Sequence, residues 1–209
     1  MANIFGGSGN DSLPGTSGAD SIVGSGGNDT LFGDAGNDSL YGGADNDLLI
    51  GGVGADSLYG GSGTDTASYV GSAFAVAVSL ATNTGTGGDA QGDILSAIEN
   101  LTGSANNDTL TGDGSANALT GSAGDDLLSG GGGTDSLYGG ADNDTLSGGT
   151  GADVLDGGTG NDTADYASAT SAVAASLATG TGTAGDANGD TFTLIENLSG
   201  SGFGETTTL

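Results

Sequence analysis

GGSGNDSLPGTSGADSIVGSGGNDTLF, residues 6–32, is one nine-residue phrase written three times. Each copy follows G-G-x-G-x-D-x-U-x, with U a large aliphatic residue. Reading outward, the sixth-position acid recurs at Asp11, Asp20, Asp29, Asp38, Asp47, Asp56 and Asp65. Two residues later comes Leu13, Ile22, Leu31, Leu40, Leu49 and Leu58, and the series closes on Ala67. Residues 6–68 hold seven uninterrupted copies, and residues 103–165 hold seven more. In the second run the sixth position reads Asp108, Asn117, Asp126, Asp135, Asp144, Asp153 and Asp162, and Ala164 again takes the last aliphatic slot. A period this strict marks stacked short repeats rather than an ordinary globular core.

The phrase dictates an all-β architecture. The residues around the aliphatic position form a short strand with one inward side chain, and the glycine-rich segment forms a turn in which positive φ is free of steric cost. Two phrases make one flattened coil, and coils stack at the strand spacing of about 4.8 Å. Aspartates of alternate phrases then fall into columns: Asp11, Asp29, Asp47 and Asp65 on one edge, Asp20, Asp38 and Asp56 on the other. Such columns repel themselves unless cations lie between them, and turn carbonyls without ladder partners can complete an oxygen shell.

Composition points the same way. The chain has no Lys, Arg or His and 27 acids, a formal charge of -27. Leu, Ile, Val and Phe make only 38 of its 209 residues, a balance that on its own reads as disorder. The strict period contradicts disorder, so something cationic completes the fold. Twenty-four of the acids are Asp, the turn-forming acid, whose hard oxygens suit calcium. Without Cys or His, disulfides, zinc, copper and haem are poorly served. Nothing neutralises phosphate, which argues against nucleic-acid binding, and no apolar run reaches membrane-spanning length.

Two related spacers follow the repeat runs. SLATNTGTGGDAQGD (79–93) matches SLATGTGTAGDANGD (176–190), and IENLTGS (98–104) matches IENLSGS (195–201), all at an offset of 97. The chain is read as a first block at 1–68, a spacer or β cap at 69–102, a second block at 103–165, a second cap at 166–199 and a stub at 200–209. Ala67 and Ala164, each followed by Tyr two residues on, mark the expected ends of the rolls. Each spacer is expected to supply a hairpin or pair of strands over the roll's end. The paired acids Asp89 with Asp93, and Asp186 with Asp190, read as a turn-rich loop, with an extra cation site as the alternative.

With these residues in view, the chain resembles the RTX family of secreted calcium-binding proteins. The resemblance implies a parallel β-roll with calcium held between turns by the aspartates and the carbonyls of the glycine-rich loops. It implies roughly ten ions if each adjacent loop pair on an edge binds one. The ligand set is expected to be Asp11, Asp20, Asp29, Asp38, Asp47, Asp56, Asp65, Asp108, Asp126, Asp135, Asp144, Asp153 and Asp162. Glu99, Glu196 and Glu205 fall on the sixth position of degenerate repeats, and Glu99 joins the set as a ligand opening the second roll. Asn117 is expected to weaken its sites. Asp45 and Asp142, in place of fourth-position glycines, are expected to tolerate left-handed backbone.

The resemblance further implies a protein of the exterior or surface of a Gram-negative bacterium, folded by external calcium, with residues 200–209 compatible with a type I secretion signal. The functional expectation is a non-enzymatic structural element that self-assembles into a fibre, surface layer, adhesin or matrix. The ninth position of the first block (Pro14, Val23, Phe32, Tyr41, Ile50, Tyr59) offers a lateral contact face. The alternatives are the calcium-binding fragment of a secreted enzyme or toxin and, lacking a regular Thr row, an ice-binding solenoid.

Overall fold

The computed structural model describes residues 1–203 and the backbone of Thr206–Thr208. It is an all-β parallel solenoid of strands three to six residues long. Two single turns of 3-10 helix, Gly88–Ala90 and Gly185–Ala187, are the helical segments among the described residues, and no helix there is long and apolar enough to cross a membrane. The chain forms two compact units, Met1–Ala105 and Asn106–Leu209.

In the first unit, one face stacks Asn3–Phe5, Ser21–Gly26, Ser39–Ala44 and Ser57–Ser62. The other stacks Ser12–Thr16, Thr30–Asp34, Leu48–Ile50 and Thr66–Ser68. Every pair is parallel and displaced by two phrases: Ile4 lies on Ile22, Leu40 on Leu58, Leu13 on Leu31, and Leu49 on Ala67. The eighth-position side chains make the core: Ile22, Leu31, Leu40, Leu49 and Leu58 are fully buried. Several strands are twice the three residues that the aliphatic position alone predicts, because pairing runs on through the glycines, as at Ser25 on Gly43 and Gly26 on Ala44. Gly43 (φ 119°) permits that bend.

The roll does not stop at Ala67. The chain leaves the stack, forms an antiparallel hairpin from Ala77–Ser79 and Thr84–Thr86, and returns as Ile94–Ser96 between that hairpin and Ser57–Ser62. Leu95 lands on Leu58, and Asn100–Thr102 then lies parallel on Thr66–Ser68 with Leu101 on Ala67. The segment expected only to cap the roll thus supplies one further complete coil as well as a hairpin.

The second unit repeats this plan. Thr109–Thr111, Leu127–Gly132, Thr145–Thr150, Thr163–Asp165 and Asn197–Ser199 form one parallel stack. Ala118–Ala123, Ser136–Ala141, Val154–Thr159 and Thr191–Thr193 form the other, joined by the antiparallel strands Thr181–Ala184 and Ala174–Ser176. Thr206–Thr208 pairs parallel with Ala174–Ser176. Glu205, and part of the 200–209 tail read as a secretion signal, lie outside the described residues.

Candidate metal centre

The period brings the predicted acids together as continuous ladders. On one edge of the first unit, the Asp11 N–H donates to Asp29 Oδ1 (2.8 Å), Asp29 N–H to Asp47 Oδ1 (2.8 Å) and Asp47 N–H to Asp65 Oδ1 (2.8 Å). On the other edge, Asp20 N–H donates to Asp38 Oδ1 (2.7 Å) and Asp38 N–H to Asp56 Oδ1 (2.8 Å), while Ala2 N–H donates to Asp20 Oδ1. In the second unit the same bonds link Asp108, Asp126, Asp144 and Asp162 along one edge, and Asn117, Asp135 and Asp153 along the other. Asn117 keeps its place in the ladder through its main-chain N–H, which donates to Asp135 Oδ1 (2.8 Å), while its side-chain Oδ1 accepts the Asp113 N–H (2.8 Å) within its own turn.

Only one oxygen of each interior carboxylate is used in this way. The Oδ2 atoms of Asp29, Asp38, Asp47, Asp56, Asp65, Asp126, Asp135, Asp144, Asp153 and Asp162 are buried with no hydrogen-bond partner. An unsatisfied buried carboxylate oxygen is a costly arrangement that demands a partner. Their surroundings show where that partner fits. A Cβ built on Gly42 would meet Asp47 Oδ2 and, at 2.6 Å, the Gly60 carbonyl oxygen; on Gly121 it would meet Asp126 Oδ2 and, at 2.7 Å, the Gly139 carbonyl oxygen. The first-position glycine therefore leaves open a cradle between a carboxylate oxygen and a carbonyl oxygen from the next coil. Among the described residues no three carboxylates gather at one point. The donors are a mixture of carboxylates and backbone carbonyls, which calcium accepts and softer metals do not.

The first acids on the first unit's edges differ. The Gly7 N–H donates to Asp11 Oδ2 (2.7 Å), and the Thr16 N–H and Oγ1 donate to Asp20 Oδ2 (2.8 and 2.7 Å), so their second oxygens are satisfied within their own turn. Hydrogen bonds led by the Thr16 hydroxyl hold the Asp20 carboxyl below its ordinary value. Inside the ladder the shift reverses. Burial, reinforced by neighbouring carboxylates, pushes Asp56 and Asp126 up to about 7 and Asp65, Asp135 and Asp144 up to about 6. Burial likewise raises Asp38, Asp47, Asp153 and Asp162.

Several members of the ladders lie beyond the nonapeptides. Asp56 N–H donates to Asp93 Oδ1 (2.8 Å) and Asp153 N–H to Asp190 Oδ1 (2.9 Å), so these spacer acids continue a column. Their Oδ2 atoms accept the hydroxyls of Tyr69 (3.0 Å) and Tyr166 (2.6 Å). Each tyrosine takes the inward position that a first-position glycine holds in the repeats, so its ring fills the cradle. Burial pushes both phenols up, with the neighbouring acid adding to the shift. On the opposite edge, Glu99 Oε2 accepts the Asp65 N–H (2.8 Å) and Glu196 Oε2 the Asp162 N–H (2.9 Å). Glu99 thereby follows Asp65 in the first unit's own column.

A second ladder has no counterpart among the sequence expectations. At the fifth position the Asn28 N–H donates to Asn10 Oδ1 (3.0 Å), Asn46 to Asn28 (3.0 Å), Asp125 to Asn107 (3.1 Å) and Asn143 to Asp125 (2.9 Å). It is exposed and runs in the opposite sense to the aspartate ladder. The recurrence of Asn at that position is the signal that could have found it. Asp45 and Asp142 do adopt positive φ (73° and 77°), and their carboxylates accept the Gly27 (3.1 Å) and Gly124 (3.3 Å) N–H groups.

A search of curated proteins found no match for this chain. The family described as RTX calcium-binding nonapeptide repeat (4 copies) matches residues 5–40, 14–49, 32–67, 95–128 and 129–164. These matches cover well over half of the sequence, and with the parallel β-solenoid they show that the chain belongs to the RTX calcium-binding nonapeptide repeat family, as a calcium-binding β-roll.

Proposed function

We propose that this chain is a secreted, non-catalytic structural module that folds when it meets external calcium and then acts as a self-assembling element of a fibre, surface layer or matrix. The observation that carries the reading is the set of buried, unpartnered Oδ2 atoms facing glycine cradles along both edges. Asp29, Asp38, Asp47, Asp56, Asp65, Asp126, Asp135, Asp144, Asp153 and Asp162 are the proposed ligands, with carbonyls of the facing turns. Asp11, Asp20 and Asp108 are proposed as the opening ligands of their columns, and the total as about ten ions. Metal binding and folding are then one event, because the unliganded roll holds a -27 charge with nothing to balance it.

Support for assembly comes from the outer face of the first unit. Tyr41 and Tyr59 stack there at 4.8 Å and both stay substantially exposed, in line with the exposed Phe5. A column of Phe5, Val23 and the stacked Tyr41–Tyr59 pair suits lateral contact with a second copy. Far-UV circular dichroism across a calcium titration should show a coil-to-β transition reversed by chelator, and electron microscopy should show calcium-dependent filaments or sheets. A β spectrum indifferent to chelator removes the folding switch; isolated rods at high concentration with calcium remove the assembly role.

A further inference from the structure

We propose that the non-repeat coil at residues 94–102 completes a divalent-cation site with the last nonapeptide of the first block, and that residues 191–199 do the same in the second. The inference rests on the calcium reading and extends it to residues outside the repeat. Asp65 is fully buried; its Oδ1 accepts the Asp47 N–H, and its Oδ2 has no partner. The cradle beside Gly60 is lined by that Oδ2, 2.5 Å from where a Cβ would sit, and by the Ala97 carbonyl oxygen. Within the repeats the equivalent carbonyl comes from the glycine two phrases on, as Gly60 serves Gly42. Here it comes from an alanine beyond the hairpin, held at φ 50°.

Glu99 supplies the next carboxylate, accepting the Asp65 N–H just as Asp65 accepts that of Asp47. The second unit has the same set: fully buried Asp162 with its unpartnered Oδ2, the Leu194 carbonyl at φ 50° beside Gly157, and Glu196 on the Asp162 N–H. The opposite edge makes the contrast. There Tyr69 and Tyr166 fill the last cradle and bond Asp93 and Asp190, so a phenolic proton stands where a cation would otherwise go. Each unit therefore ends open to a cation on its glutamate edge and sealed on its tyrosine edge.

Native mass spectrometry of the calcium-saturated full chain tests this by counting ions. Glu99→Gln with Glu196→Gln keeps the acceptor for each N–H and removes the charge. It should carry two fewer ions than the unaltered chain while circular dichroism shows the roll intact. An unchanged count, with Asp47→Asn plus Asp144→Asn losing ions in parallel, overturns the sites at residues 94–102 and 191–199 and leaves the repeat sites standing. No ions on the unaltered chain overturns both. If the doubly altered chain does not fold, the single variants Glu99→Gln and Glu196→Gln are counted in its place: a loss of one ion from each supports the sites, and an unchanged count overturns them.

Discussion

Asp56 sits between Asp38 and Asp93 in a buried column, and burial followed by the charge of Asp93 pushes its carboxyl up to about 7. Its ordinary value is 3.8. Between those two values the metal-free roll holds more protons than the unfolded chain does. Protonation therefore favours the metal-free roll: this stabilisation is complete below about pH 4 and is lost as pH rises through about 7. Asp126 behaves alike. With chelator present, the β signal should be stronger at pH 5 than at pH 8. With calcium present, protons compete for the same oxygens, so apparent calcium affinity should fall as pH drops from 8 to 5. A chelated protein whose β content rises with pH would refute the raised carboxyls. These residues are legible as a column from their spacing alone, since a coil of two phrases fixes which acids become neighbours. Asp93 and Asp190 are not, because the hairpin between Asp56 and Asp93 interrupts the period.

At the scale of the element, the coil that closes each unit is where the reading of the sequence and the structure part. The alanine at the aliphatic position reads as a terminus. The structure makes it a neighbour of the buried Tyr69, whose ring lies inside the roll and whose hydroxyl satisfies Asp93. Ala67 leaves room at the point where a large side chain enters, and Leu101 stacks on it in the following coil. Short strands, parallel pairing and the leucine core follow directly from the phrase. The returning coil does not, because one strand of each face is reached only after an antiparallel detour that has no periodic signature. Tyr69→Phe leaves a buried carboxylate oxygen without its donor and should destabilise the calcium-loaded first unit by about 1–3 kcal/mol, read as a lower urea midpoint. An unchanged midpoint would mean that the hydroxyl is not the seal.

At the scale of the whole molecule, each unit carries its own ladders, tyrosine and glutamate. A chain of residues 1–105 alone should therefore undergo the same calcium-driven β transition, with about half the ions of the full chain. Its failure to gain β structure at any calcium concentration, while the full chain does so, would show that the units fold only together.

The tyrosine at each closing coil has a consequence for fidelity. Nonapeptides are nearly interchangeable, and a strand of one coil could pair a full coil out of place with little change in local contacts, the kind of slip to which glycine-rich strands are prone. A roll slipped by one coil would set Tyr69 against a glycine cradle already occupied by a carboxylate and a carbonyl, and would leave Asp93 without its donor. One ring per unit thus acts as an index mark on an otherwise uniform scale: it admits a single alignment and rejects its near-copies.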